Sequence, residues 1–133
     1  MLELIDKGSC TAEHPVPLLF VHGGWHGAWC WEHFQDFFAD AGYRTVAVSL
    51  RGHGTSPTAK PLRKVSIADY IEDVRSVADD LGGAPILIGH SLGGFVIQRY
   101  LEERSARPRC WWARCRRRAC SKWRCASGAA GRR

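Results

Sequence analysis

No apolar run in these 133 residues comes near the roughly 18 consecutive apolar side chains of a membrane-spanning helix, which excludes such a span. The opening Met1-Leu2-Glu3-Leu4 has no basic n-region, so no secretory leader is expected and the cytoplasm is the expected location. Asp and Glu stop at Glu103, and His stops at His90. The first absence leaves eleven Lys and Arg from Arg104 to Arg133 without a compensating acid, whereas residues before Arg104 hold eight basic and thirteen acidic side chains. The second leaves the last third of the chain without the side chain that serves most often as a general base. The length allows one domain with a core of ordinary size. Within it, an acidic stretch (residues 1–103) meets a basic one (residues 104–133) that also holds four of the six Cys and three of the six Trp.

What is present before Arg104 alternates between buried strands and amphipathic helices. Leu2, Leu4 and Ile5 open a short strand. Pro17-Leu18-Leu19-Phe20-Val21 is continuously apolar, as a strand buried on both faces must be. It runs into His22-Gly23-Gly24-Trp25-His26-Gly27, too rich in glycine for a helix and suited to close backbone approach. Ala28 to Ala41 reads as a helix with Trp31, Phe34, Phe38 and Ala41 on its buried face and Gly42 as its C-terminal stop. A second buried strand, Thr45 to Leu50, leads into the loop Arg51-Gly52-His53-Gly54-Thr55-Ser56-Pro57. Ser66 and Asp69 have capping-box spacing ahead of a helix whose apolar side is Ile67, Tyr70, Ile71, Val74, Ala78 and Leu81. Gly82-Gly83 stops it. A third strand, Ala84 to Ile88, follows. This order predicts an α/β fold with an incomplete doubly wound parallel sheet, in which ligands bind beyond the carboxyl ends of the strands.

The stretch Gly89-His90-Ser91-Leu92-Gly93 sits at such an end, between the third strand and a helix from Leu92 to Leu101 with Val96, Ile97, Tyr100 and Leu101 on one side. A G-x-S-x-G match in strand–turn–helix context is the signature of a nucleophile elbow. The crowded turn needs glycine two residues before and two after the Ser. Ser91 then stands on the tip of the bend, with the N–H groups and partial positive charge of a helix N-terminus behind it.

Together the strand ending in His22-Gly23-Gly24, Gly27-Ala28-Trp29, Arg51-Gly52-His53-Gly54 with Ser56, and Gly89-His90-Ser91-Leu92-Gly93-Gly94 make residues from about 16 to 103 resemble the α/β-hydrolase family. His22-Gly23, His26-Gly27-Ala28-Trp29 resembles the small-esterase branch that includes plant methylesterases and hydroxynitrile lyases. The resemblance implies Ser91 as nucleophile, the N–H groups of Gly24 and Leu92 as the oxyanion hole, a small ester-like substrate, and no cofactor. Trp25 and His90 are candidates for the substrate pocket. The remaining histidines have plainer readings. His90 packs the turn, His53 is structural, and His14 and His33 lie on the surface. His22 and His26 have zinc-pair spacing, but in a glycine loop rather than on a helix with Glu between, so no metal site is expected.

In the family the acid and the base follow the Ser, in that order. After Ser91 only Glu102 and Glu103 carry carboxylates, and no His follows. Activity is therefore not expected of this chain, and its uncovered sheet edge and apolar faces predict poor solubility. The tail has three competing readings. The five-residue comb Cys110, Cys115, Cys120, Cys125 matches no structural zinc spacing. A basic arm with Trp for stacking would bind nucleic acid or acidic partners. A frameshift near residue 104 accounts for most. Cys and Trp codons, read one base back, encode Leu, Met or Val, and CGN arginine codons encode Ala, Pro, Ser or Thr. Ser105 to Gly128 then re-reads as approximately LGPAAVLVGPVPPAGVLKVALRLG, whose AAVLV run supplies the strand the fold needs next.

Overall fold

A computed structural model describes residues 1–104 and 112–114. Among these residues five strands, β1 (Leu4–Lys7), β2 (Leu18–Val21), β3 (Thr45–Val48), β4 (Ile86–His90) and β5 (Trp112–Arg114), form one sheet in the order β1-β3-β2-β4-β5. β2, β3, β4 and β5 run parallel, with Val21 beside both Val48 and Gly89. β1 departs from the expected parallel sheet. It pairs antiparallel with β3, Leu4 against Val48, because the connection from β1 to β2 holds no crossover helix. β2 and β3 are buried at every position, as their unbroken apolar runs require of central strands.

The helices α1 (Glu32–Asp40), α2 (Ile67–Asp80) and α3 (Leu92–Glu103) link successive parallel strands. α2 and α3 pack on one face of the sheet around Leu19, Val46, Val74, Leu87, Val96 and Ile97. Among the described residues, the other face carries α1 and the 3-10 turn Ala28–Trp31, over Leu18, Phe20 and Ala47. α2 begins as its sequence dictates. Ser66 Oγ accepts from the Asp69 N–H at 3.3 Å, and the Asp69 carboxylate accepts from the Ser66 N–H at 2.6 Å. With Lys60 at 2.7 Å as well, that carboxyl is held far below the usual carboxylate range.

α1 corrects the expected buried face. Phe34 is 54% exposed and Ala41 is exposed, while Gln35 is fully buried. The chain starts there as a 3-10 turn and only then relaxes to α, so the phase shifts, and Trp31, Gln35 and Phe38 face the sheet. Gln35 tolerates burial because its amide donates to the carbonyls of Ile5 at 2.8 Å and Thr45 at 3.2 Å, pinning α1 across β1 and β3. His14, expected to be a simple surface residue, stacks on Tyr43 with ring centroids 3.7 Å apart.

At the far end, Arg104 closes α3 onto α2. Its guanidinium donates to Tyr100 Oη at 2.6 Å, to the Gly83 carbonyl at 2.7 Å and to Asp79. Beyond it, β5 pairs parallel with β4, Trp112 beside Ile88 and Arg114 beside His90. A strand following α3 by the same crossover as its predecessors lands on that free edge. The readings placed on residues 105–111 and 115–133, including the Cys comb and the basic arm, lie outside the described residues. Among the described residues no helix is long and apolar enough to cross a membrane.

Candidate active site

Ser91 is the junction between β4 and α3, and its backbone is bent into a region that L residues avoid, φ 52° and ψ −114°. The two flanking glycines of the motif are required by their surroundings. A Cβ on Gly89 would lie 2.7 Å from the Gly94 nitrogen and 2.6 Å from Ile97 Cδ1. One on Gly93 would lie 2.2 Å from the Val21 carbonyl oxygen, so that glycine lets α3 pass directly over β2. The bend leaves the Ser91 side chain exposed and makes no cap with it. The first intrahelical bond that returns to this residue runs from the Phe95 N–H to the Ser91 carbonyl at 3.1 Å. The N–H groups of Leu92 and its successors are thus left without acceptors inside the helix.

The loop after β2 lies against this bend. A Cβ on Gly23 would meet His90 Nδ1 at 2.8 Å and the Ser91 Cβ at 3.3 Å, so glycine there permits the two loops to touch. Gly24 follows, with Leu92 Cδ2 4.0 Å from where its Cβ would be. Gly24, Ser91 and Leu92, named from the sequence, are therefore brought together by two strand ends. Trp25 is not brought in. Its residue has φ 66°, and the indole is 93% exposed. His90 instead lines a cleft of about 880 Å³. Phe20 and Ile88 form the sheet side of that cleft, Trp31, Phe34 and Phe37 come from the α1 side, and His26, His33 and His90 are among its other lining residues.

All six histidines are within the described residues, and no hydrogen bond joins any of them to the Ser91 hydroxyl. His22 is buried, with Nδ1 2.7 Å from the Gly23 carbonyl oxygen and Nε2 3.0 Å from the Leu50 nitrogen. Burial pushes its pKa below the ordinary value of 6.5. With both ring nitrogens engaged by backbone, it has no lone pair for a metal. His26 Nδ1 is 2.8 Å from the Gly24 carbonyl oxygen. His53 Nδ1 is 3.2 Å from the Arg51 carbonyl oxygen, and its ring lies 5.0 Å from that of His22.

The loop bearing His53 is tied down by a contact the sequence did not disclose. Asp73, 3% exposed on the buried side of α2, accepts from Arg51 Nε at 2.9 Å, from its terminal nitrogen at 2.6 Å and from its backbone N–H at 2.9 Å. An acid four residues after Asp69, with an Arg opening the preceding loop, was the available signal. Its cost is burial of a charge, offset by a bidentate partner.

Residues 18–125 match the sequence profile of the Alpha/beta hydrolase family. Methylesterase 18 of Arabidopsis thaliana is 36% identical over 78 residues, covering 57% of this chain and 29% of that protein. Methyl jasmonate esterase 1 of Vitis vinifera is 37% identical over 87 residues, covering 63% of this chain and 33% of that protein. Among solved structures, an epoxide hydrolase from Vigna radiata superposes with a TM-score of 0.69 at 27% identity, over 77% of this chain and 32% of its own. A monoacylglycerol lipase from Paleococcus ferrophilus gives 0.64 at 28%, over 78% of this chain and 38% of its own. The chain spans about a third of the length of these proteins. By its profile match, its sheet order and its strand–Ser–helix junction, the chain belongs to the alpha/beta hydrolase family.

Proposed function

We propose that the chain is the nucleophile-bearing portion of a serine hydrolase that acts on small esters or related acyl substrates. The observation that carries this reading is the backbone of Ser91, strained at φ 52° between β4 and α3, with its hydroxyl exposed. Strain of that kind persists where the surrounding structure holds it for a purpose. In the reaction, Ser91 Oγ attacks the acyl carbon, and the carbonyl oxygen becomes an oxyanion bound by the Gly24 and Leu92 N–H groups. Loss of the alkoxide as an alcohol, which takes the serine proton, leaves an acyl-enzyme that water hydrolyses. The esterase names of the relatives support an ester over the epoxide of the first solved neighbour.

The proton needs a carrier, and none of the six His follows Ser91. In a comparable serine hydrolase, loss of the Ser or the His costs about 10⁶ in kcat, leaving about 10³–10⁴ over water. On this reading the chain is inactive as it stands, and a frameshift near residue 104 has put its base and acid out of frame. One finding supports that placement of the break: Arg104 is built into α3 and α2 by specific bonds.

The test is hydrolysis of 4-nitrophenyl acetate by the chain as it stands and by the product of the gene with one base restored near codon 104. The chain as it stands should not exceed its Ser91→Ala variant. The restored product should exceed its own Ser91→Ala variant by about 10⁶. A restored product that hydrolyses no ester, or does so equally without Ser91, overturns the reading.

A further inference from the structure

The Gly23–Gly24 peptide is the least constrained unit of the site by its own chemistry. Glycine pays little for either orientation of a peptide plane, and a flip would point a carbonyl where a donor is needed. The structure surrounds this unit with fixed partners. The Gly23 carbonyl oxygen is 2.7 Å from His22 Nδ1 and 3.4 Å from the His26 nitrogen. The Leu50 N–H can only donate, so His22 Nε2, 3.0 Å away, must accept. The proton of the imidazole is therefore on Nδ1, and the Nδ1–H donates to the Gly23 carbonyl. His22 is fully buried, leaving the ring no alternative partner in water.

A trans peptide is planar, with its C=O and N–H on opposite edges. Whatever holds the Gly23 carbonyl thereby aims the Gly24 N–H. We propose that His22 is a positioning residue that locks the Gly23–Gly24 peptide with its N–H presented to the elbow. The relay runs from the Leu50 N–H through the imidazole to the Gly23 carbonyl and ends at the Gly24 N–H. Bonds linked in this way polarise one another, which makes the terminal N–H a stronger donor. His26 secures the next unit, with Nδ1 2.8 Å from the Gly24 carbonyl oxygen. The proposal rests on the reading of the Gly24 N–H as an oxyanion donor only for its consequence, not for its geometry.

The test is nuclear magnetic resonance on the uniformly ¹⁵N-labelled full chain at pH 7.5, with His22→Asn and His22→Leu as variants and benzeneboronic acid as probe. Asn places an N–H donor where Nδ1 was, and Leu places none. The His22 ring nitrogens should report the neutral Nδ1–H tautomer, and an Nε2–H tautomer overturns the proposal without any variant. The Gly24 amide resonance should stay near its wild-type position in His22→Asn and move in His22→Leu. An unmoved resonance in His22→Leu overturns it. Boronic acid should shift the Gly24 and Leu92 amides in wild type and His22→Asn, and bind about tenfold more weakly to His22→Leu. If the probe moves neither amide in wild type while Gly24 still follows His22, the positioning role stands and the oxyanion-hole reading falls.

Discussion

At Ser91 the cost of the site is visible in a single residue. A left-handed backbone at a non-glycine residue costs on the order of 1–3 kcal/mol, and the junction of β4 with α3 imposes it. Ser91→Gly should therefore raise stability by about 1 kcal/mol, strain relief outweighing the added freedom of the unfolded chain. Gly93→Ala should lower it by about 1–3 kcal/mol, since its Cβ would enter the Val21 carbonyl. Urea denaturation of both variants checks the opposed signs. His22 gives a pH dependence. Buried beside His53 and His26, which oppose its charge, and within the field of Glu3, which favours it, its pKa lies below 6.5 in the folded chain. Between that lowered value and 6.5 the unfolded chain binds more protons, so the contribution is complete above about pH 6.5 and shrinks as pH falls. Wild type should lose stability between pH 7.5 and 5.5 more steeply than His22→Asn; an equal or shallower slope contradicts this.

Elements were legible to different degrees, for physical reasons. α2 was written plainly, because a capping box, a helical stripe and Gly82-Gly83 all act within a few residues of one another. Ser66→Ala should cost about 1 kcal/mol, read by thermal unfolding. α1 was misphased because the 3-10 turn before it changes the period, and no local signal distinguishes that start from α. Nor could periodicity show that Gln35 would be buried, since what pays for it is two carbonyls on distant strands. The antiparallel pairing of β1 and the Arg51–Asp73 clamp are non-local in the same sense. The strand–turn–helix junction was more legible than the fold's details. Gly89, Ser91 and Gly93 meet constraints set within one turn, whereas the anchoring of Gly23 by His22 depends on Leu50 in another loop.

The described part of the molecule is lopsided. The crossovers that lead to β4 and β5 place α2 and α3 on one face, and among the described residues α1 and the 3-10 turn Ala28–Trp31 cover the other. Phe37, 69% exposed, and Phe34, 54% exposed, border the resulting cleft over β2 and β4. An apolar cleft of this size on a chain that spans about a third of its relatives should bind the dye ANS and drive association. The double variant Phe34→Ser with Phe37→Ser should bind less dye and remain monodisperse to higher concentration, at a stability within about 0.5 kcal/mol of wild type. The proposed frameshift near residue 104 belongs to the same scale, since it would account for the lack of a His after Ser91. The most direct measurement is the nucleotide sequence of the gene from the Ser91 codon to well beyond Arg133. A frame shifted by one base near codon 104, open through an apolar strand to a downstream Asp and a later His, is the expected result. A stop soon after the shift, or a continuation with no apolar strand, would contradict the reading of this chain as the nucleophile-bearing part of a serine hydrolase joined to an out-of-frame tail.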